Sequence, residues 1–256
     1  MDRIERPRQE PAPPRARAAT FPSRLLHAQA VAEGTFAFHL ARPPEFAFEA
    51  GQSINLMLVD APESDARGGS RALTIASAPF EPSLMVATRM RDTAFKRVLG
   101  KLAPGSPVSV RGPSGRFTLP EGERPVILVA GGIGITPFLS MLRQEAHAGS
   151  RRPRLLLYSN RRPADAAFLP ELQAMAQRAP AFRMVATMTA HDGIEPAWQG
   201  ERGKLGPELL ARHAAELENP LWYLAGPPAM IAALGPAIAA LGVAREDIRV
   251  DEFSGY

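Results

Sequence analysis

The stretch with the most specific chemistry begins at Val126. An apolar run leads from there directly into Gly131-Gly132-Ile133-Gly134, followed by Ile135, Thr136 and Pro137. Glycines let a backbone turn tightly and let a phosphate approach its amides. Thr136 suits the cap of a following helix and Pro137 its first turn. The unpaired amides and helix dipole of such a turn form an anion site at the carboxyl end of a strand. A glycine turn can also be purely structural, so the flanking strand and helix matter. At the end of the next strand-like run stands Tyr158-Ser159-Asn160-Arg161-Arg162, with no carboxylate until Asp165. In a dinucleotide site a carboxylate at that place meets a ribose 2′-OH, whereas cations meet a 2′-phosphate. Ser159 and Arg161 fit the second case. An ordinary exposed turn at Arg161–Arg162 fits as well.

The composition narrows the chemistry. The chain has no cysteine, which excludes disulfides, thiolate metal sites, a cysteine nucleophile and a cysteine-ligated iron–sulfur cluster within these 256 residues. A net charge of +4 does not argue for nucleic acid. No apolar run is long enough to span a membrane, and no signal-peptide core is visible, so cytoplasmic residence is the expectation.

These residues must be held by two kinds of structure. Residues 1–19, rich in Pro and Arg, read as a disordered tail. Short β-like runs then occur at 23–31, 35–40, 53–59, 71–77, 84–90 and 107–110, broken by Gly and Pro. That spacing predicts a small antiparallel β-barrel. One helix is expected at 92–102, with Phe95, Val98, Leu99 and Leu102 on one face. The period changes near residues 119–124. Strands are expected at 125–131, 154–160, 182–189, 221–226 and 247–253, alternating with helices at 136–149, 165–178, 206–217 and 227–242. Such alternation predicts an α/β parallel-sheet, Rossmann-like unit.

Five segments, in this order, resemble the ferredoxin–NADP reductase superfamily. They are Arg71-Ala72-Leu73-Thr74, Gly112-Pro113-Ser114-Gly115-Arg116-Phe117, the glycine turn, Ala225-Gly226-Pro227-Pro228-Ala229-Met230, and the end Asp251-Glu252-Phe253-Ser254-Gly255-Tyr256. The resemblance implies a flavin-binding barrel over residues 20–121 and a nicotinamide-binding unit over 122–256. In it, Arg71 pairs with the flavin phosphate and Thr74 lies near flavin N5. Leu73 replaces the usual tyrosine on the ring face. Ala72 completes the motif. Ala87-Thr88-Arg89 and Thr93-Ala94-Phe95 supply a second phosphate contact, which implies FAD. The turn at 112–117 closes the barrel, as a plain loop or as a cofactor contact. Gly131, Gly132, Gly134, Ile135, Thr136, Gly226, Pro227 and Pro228 face the nicotinamide nucleotide. Ala225 stands where the family has a cysteine.

Further expectations follow from that resemblance. Asp251 or Glu252 assists proton supply. Phe253 either shields the flavin ring or fills the core. Lys204 lies where relatives carry a basic residue, so it joins Ser159 and Arg161 in favouring NADPH, with NADH as a second donor. The implied reaction is hydride transfer from nicotinamide to flavin, then electron delivery to a separate carrier such as an acidic ferredoxin, a flavodoxin or a haem protein. Arg89, Arg91, Lys96, Arg97, Lys101, Arg111 and Arg116 form a candidate docking face, or an ordinary solvated one. A free-flavin or ferric reductase and a non-catalytic subunit are the alternative readings.

Overall fold

A computed structural model describes residues 19–66, 68–190 and 198–253; the expected tail up to residue 18 and Ser254-Gly255-Tyr256 lie outside them. The first half contains β1 (Ala19–Ala32), β2 (Thr35–Ala41), β3 (Ser53–Leu58), β4 (Ser70–Thr74), β5 (Ser83–Arg89), helix α1 (Ala94–Lys101) and β6 (Pro107–Ser114). The strands pair antiparallel in the order β4-β3-β6-β1-β2-β5. The two end strands meet through an antiparallel bridge between Ile75 and Val86, and the Ala76 N–H donates to the Met85 carbonyl at 2.7 Å. The sheet is thus closed into the expected barrel, which removes its open edges. Inside lie Leu25, Phe38, Leu40, Ile54, Leu56, Val86, Val108 and Val110. Helix α1 contributes Phe95 and Leu99 to this core, as its apolar spacing predicts. β1 begins at Ala19, the last residue of the expected tail, which pairs with Gly112.

The second half contains β7 (Val126–Gly131), α2 (Ile135–His147), β8 (Arg154–Asn160), α3 (Leu169–Arg178), β9 (Phe182–Met188), β10 (Glu201–Arg202), α4 (Pro207–Ala214), β11 (Leu221–Gly226), α5 (Pro228–Ala239) and β12 (Ile248–Glu252). Its strands are all parallel, in the order β10-β9-β8-β7-β11-β12. Alternate residues of β7 serve opposite faces. Val126, Leu128 and Ala130 join one core with residues of α2 and α3, and Ile127 and Val129 join another with residues of α4 and α5. This explains why the central strands read as unbroken apolar runs.

Two details differ from expectation. Helix α3 starts four residues later than predicted. A 3₁₀ turn at Pro163–Asp165 and a left-handed Phe168 (φ 59°) precede it, and the Phe168 N–H donates to the Val31 carbonyl of the barrel. The two-residue strand β10 was too short to leave a periodic signal.

The halves share a core. Ala37, Ala76, Met85, Ala87 and Phe117 of the first half pack with α2 and the parallel sheet. Eight consecutive residues of α2, from Ile135 to Leu142, are buried. A helix buried on all sides has two packing partners; here they are the barrel and the sheet. Gly51 of the barrel is required by that contact, because a Cβ there would lie 2.4 Å from Met141 Cε and 2.1 Å from the Phe117 carbonyl oxygen. Ser140 Oγ donates to the Ser77 carbonyl at 2.7 Å, with both residues fully buried. Arg143 bridges Glu81 of the barrel and Glu171 of α3. Tyr223 of β11 donates to the Thr118 carbonyl.

Arg143→Met is expected to lower unfolding free energy by about 1–2 kcal/mol, below the scale for a fully buried ion pair because Glu81 and Glu171 keep part of their exposure to solvent. Denaturant unfolding checks this; a change within about 0.5 kcal/mol, typical of a surface substitution, contradicts it.

Candidate functional site

A cleft of about 970 Å³ opens on the barrel between β4, α1 and the end of β12. Arg71, Ala72, Leu73 and Thr74 line it from β4, and Thr93, Ala94 and Phe95 from the start of α1. Thr88 lines it from β5, and Asp251, Glu252 and Phe253 reach it from the second half of the chain. Residues separated by some 180 positions in sequence are therefore gathered around one space.

Chain geometry explains each placement. β4 pairs with β3, which sets Thr74 opposite Ser53 and Ala72 opposite Asn55. Helix α1 is capped by Thr93, whose hydroxyl accepts from the Lys96 N–H. Among the described residues the N–H groups of Ala94 and Phe95 have no backbone partner, as expected of a first helical turn. Arg71 lies over the Phe95 ring, 5.0 Å from its centroid. The orphaned Asn55 Oδ1 is a further unpaired polar atom among the lining residues. Unpaired amides, a guanidinium and an elongated cleft fit a phosphate-bearing aromatic cofactor.

Not every candidate reaches the cleft. Strand alternation turns Ala87 and Arg89 away from Thr88. Ala87 packs into the core shared by the two halves, and Arg89 pairs with Asp165 across the interface at 3.3 Å. Leu73 is buried in the barrel core even as it meets the cleft. Phe253 is placed where either role posed for it could be played. It is only 8% exposed and belongs to the shared core, yet it lines the cleft.

The glycine turn sits at the carboxyl ends of the parallel strands. Gly131 is opposite Ser159, and Ala225 is opposite Ala130. The glycines divide into two kinds. A Cβ on Gly134 would lie 2.2 Å from the Ala225 carbonyl oxygen, one on Gly131 would lie 2.6 Å from Met230 Sδ, and one on Gly226 would lie 3.1 Å from Gly131 Cα. These three allow the β7 and β11 turns to touch. Gly132 differs: its φ is +54° and a Cβ would meet nothing within 4 Å. Its positive φ, not crowding, is what calls for glycine there. Thr136 is not the helix cap. A 3₁₀ turn, Gly132–Gly134, runs straight into α2, and the buried Thr136 hydroxyl donates to the Ile133 carbonyl at 3.1 Å. Ile135 is also fully buried, so both support the turn from beneath. Pro227 and Pro228 are exposed beside it at the start of α5.

Arg161 and Arg162 part company. Arg162 is tied to Asp165 and Glu33, whereas Arg161 is exposed and makes no side-chain ion pair among the described residues. Lys204 is exposed just beyond β10, whose pairing with β9 brings it to the same edge. The two sites are linked directly. The Phe253 N–H donates to the Gly226 carbonyl at 3.0 Å, so the strand end lining the cleft is bonded to the second glycine turn.

Comparison with known proteins agrees with this geometry. A family model for an oxidoreductase NAD-binding domain matches residues 128–235. Ferredoxin–NADP reductase B of Sorangium cellulosum is 33% identical over 225 residues, covering 84% of this chain and 89% of that protein. The chain belongs to the ferredoxin–NADP reductase superfamily. The reductase component of propane 2-monooxygenase from Mycolicibacterium smegmatis is 28% identical over 83% of this chain, which spans 61% of that longer relative. In fold, the chain matches a ferredoxin NADP⁺ reductase from Neisseria gonorrhoeae with bound FAD and NADP, with a TM-score of 0.76 at 22% identity, over 91% of this chain and 98% of that one.

Within this superfamily frame, the cleft also gathers lining residues that sequence reasoning did not assign to the cofactor. Asp65 binds Arg71, Lys96 is buried beside it, and Ser53 borders both the main cleft and a neighbouring cavity of about 370 Å³. None carries a motif: strand pairing brings in Ser53, the path of the β3–β4 loop brings in Asp65, and the first turn of α1 brings in Lys96. The expected docking cations also change. Arg89, Lys96 and Arg97 are engaged by Asp165, the Arg89 carbonyl and Glu63, leaving Arg91, Lys101, Arg111 and Arg116 exposed.

Burial pushes the Asp251 carboxyl above its ordinary value. The proton-bound form is therefore favoured by folding, and its stabilising contribution is lost as pH rises through the raised pKa. Asp251→Asn is expected to match the parent in melting temperature below the usual carboxylate range and to exceed it increasingly above that range. Melting temperatures of both proteins across pH 3–8 check this; a difference that does not change with pH contradicts it.

Proposed function

We propose that the chain is an FAD-dependent NAD(P)H oxidoreductase that delivers electrons to a separate acceptor. One observation carries this reading: a single cleft unites Arg71, Thr74 and the α1 N-terminus with Asp251 and Phe253, and a hydrogen bond joins its rim to the nucleotide turn. The barrel, residues 20–121 with Ala19 added, holds the flavin; residues 122–256 hold the nicotinamide nucleotide. Bound flavin supplies hydride acceptance and single-electron release, which links a two-electron donor to one-electron carriers.

The chain's own groups orient and shield. Arg71 and the Ala94 and Phe95 amides hold phosphate. Thr74, at the end of β4, offers a hydroxyl to the reacting edge. Phe253 closes the cleft against water, and Asp251, its carboxyl pushed upward by burial, assists proton supply beside it. Gly132 admits the nucleotide phosphates to the turn, while Gly131, Gly134 and Gly226 fix its shape. Arg161, Lys204 and Ser159 favour a 2′-phosphate, so NADPH is the preferred donor and NADH a second one. The acceptor is a ferredoxin, flavodoxin or haem protein with an acidic face, met by the exposed arginines of the barrel. Among the described residues no helix is long and apolar enough to cross a membrane, and the reading places the enzyme in the cytoplasm.

Arg71→Ala is expected to weaken FAD binding by about 1.5–3 kcal/mol, the worth of hydrogen bonds to a charged group. Flavin fluorescence titration measures this, and unchanged affinity contradicts the assignment. Arg161→Ala is expected to lower kcat/KM for NADPH about tenfold, roughly 1.4 kcal/mol, while sparing NADH. Equal losses for the two donors would place Arg161 on a shared portion of the nucleotide.

A further inference from the structure

The cleft contains a carboxylate that the phosphate-binding motif does not account for. Arg71 Nη2 donates to both oxygens of Asp65, at 2.7 and 2.6 Å, and Nη1 donates to the carbonyls of Gly68 and Ser70. Asp65 belongs to the loop between β3 and β4 and lines the same cleft. The loop is tied down a second time, by Arg97 of α1, which donates to both oxygens of Glu63 at 3.2 and 2.6 Å. Two arginines facing the cleft thus draw this acidic loop toward it.

Lys96 adds a second cation. It is 6% exposed, lines the cleft, and its ammonium donates to the Arg89 carbonyl at 2.7 Å. Burial, then the charges of Arg91 and Arg71, push its pKa down to about 8. Arg71 and Lys96 thus place two cations on the wall of a cleft that Asp65, Asp92, Asp251 and Glu252 also line. A diphosphate presents the paired oxygens that a guanidinium binds side by side. A carboxylate presents the same pair of oxygens, so both acceptors compete for one donor face of Arg71.

We propose that Asp65 competes with the flavin's diphosphate for Arg71, and that Lys96 is the second cation of that phosphate site. Asp65 thereby sets how tightly the cofactor is held, and it gives up Arg71 when phosphate takes the arginine. The inference rests on the flavin reading above.

The test compares FAD with riboflavin, which has the same ring and no phosphate, on the full chain. Asp65→Asn is expected to tighten FAD about five- to tenfold and to leave riboflavin affinity unchanged. Lys96→Met is expected to weaken FAD about tenfold, again without effect on riboflavin. Asp65→Ser, with its own melting curve, stands in if the Asn variant folds poorly. Weaker FAD binding by both Asp65 variants would show that the carboxylate orients Arg71 for phosphate, and would overturn the proposal. Equal shifts for FAD and riboflavin would overturn it too, since the effect would then lie in the ring pocket. Parent protein that binds neither flavin would overturn the functional reading itself, and this inference with it.

Discussion

The burial of α2 between the barrel and the parallel sheet is the constraint on which the rest depends. Its N-terminus follows directly from the glycine turn, and its body from Ile135 to Leu142 has no exposed face. Close packing leaves such a helix little room to slide, because interiors are as dense as organic crystals. Gly51 permits the approach on the barrel side, Ser140 bonds to Ser77, and Arg143 holds carboxylates from both halves. The glycine turn and the barrel cleft, the proposed nucleotide and flavin sites, are therefore fixed in one frame. Chemistry between two bound rings requires that registration, since a small misplacement of reacting atoms is costly in rate.

The second element of the frame is the contact between the β7 and β11 turns. Gly131, Gly134 and Gly226 are small where the two turns touch, since a Cβ on any of them would strike the neighbouring turn or Met230. From Gly226 one hydrogen bond leads to Phe253, whose ring borders the flavin cleft. A change in either turn is thus felt at the cleft through packed backbone.

Much of this was legible in the residues. Alternation in the barrel strands, unbroken apolar strands in the second half and the glycine turn reported the two-unit architecture, because each follows from which faces are buried. The cleft residues Arg71, Thr74, Thr93 and Phe253 were found through motif order. What escaped lay at a finer scale. Ala87 and Arg89 flank Thr88, which lines the cleft, but the period-two phase of β5 points them elsewhere. Thr136 had the chemistry of a cap, but a 3₁₀ turn moved the helix start ahead of it. The pairing of Arg71 with Asp65 depends on a loop path that no local pattern encodes. Asp165, the first carboxylate after β8, is consumed by Arg162 and Arg89.

The central claim is that one chain brings a nicotinamide donor and a flavin into register and hands electrons onward. The most direct measurement is an anaerobic stopped-flow reduction of the FAD-loaded protein by NADPH, followed at the flavin's visible absorbance. The account predicts bleaching of the full flavin absorbance on mixing, and its return when a one-electron oxidant such as ferricyanide is added. Flavin that stays oxidised with both NADPH and NADH would contradict it.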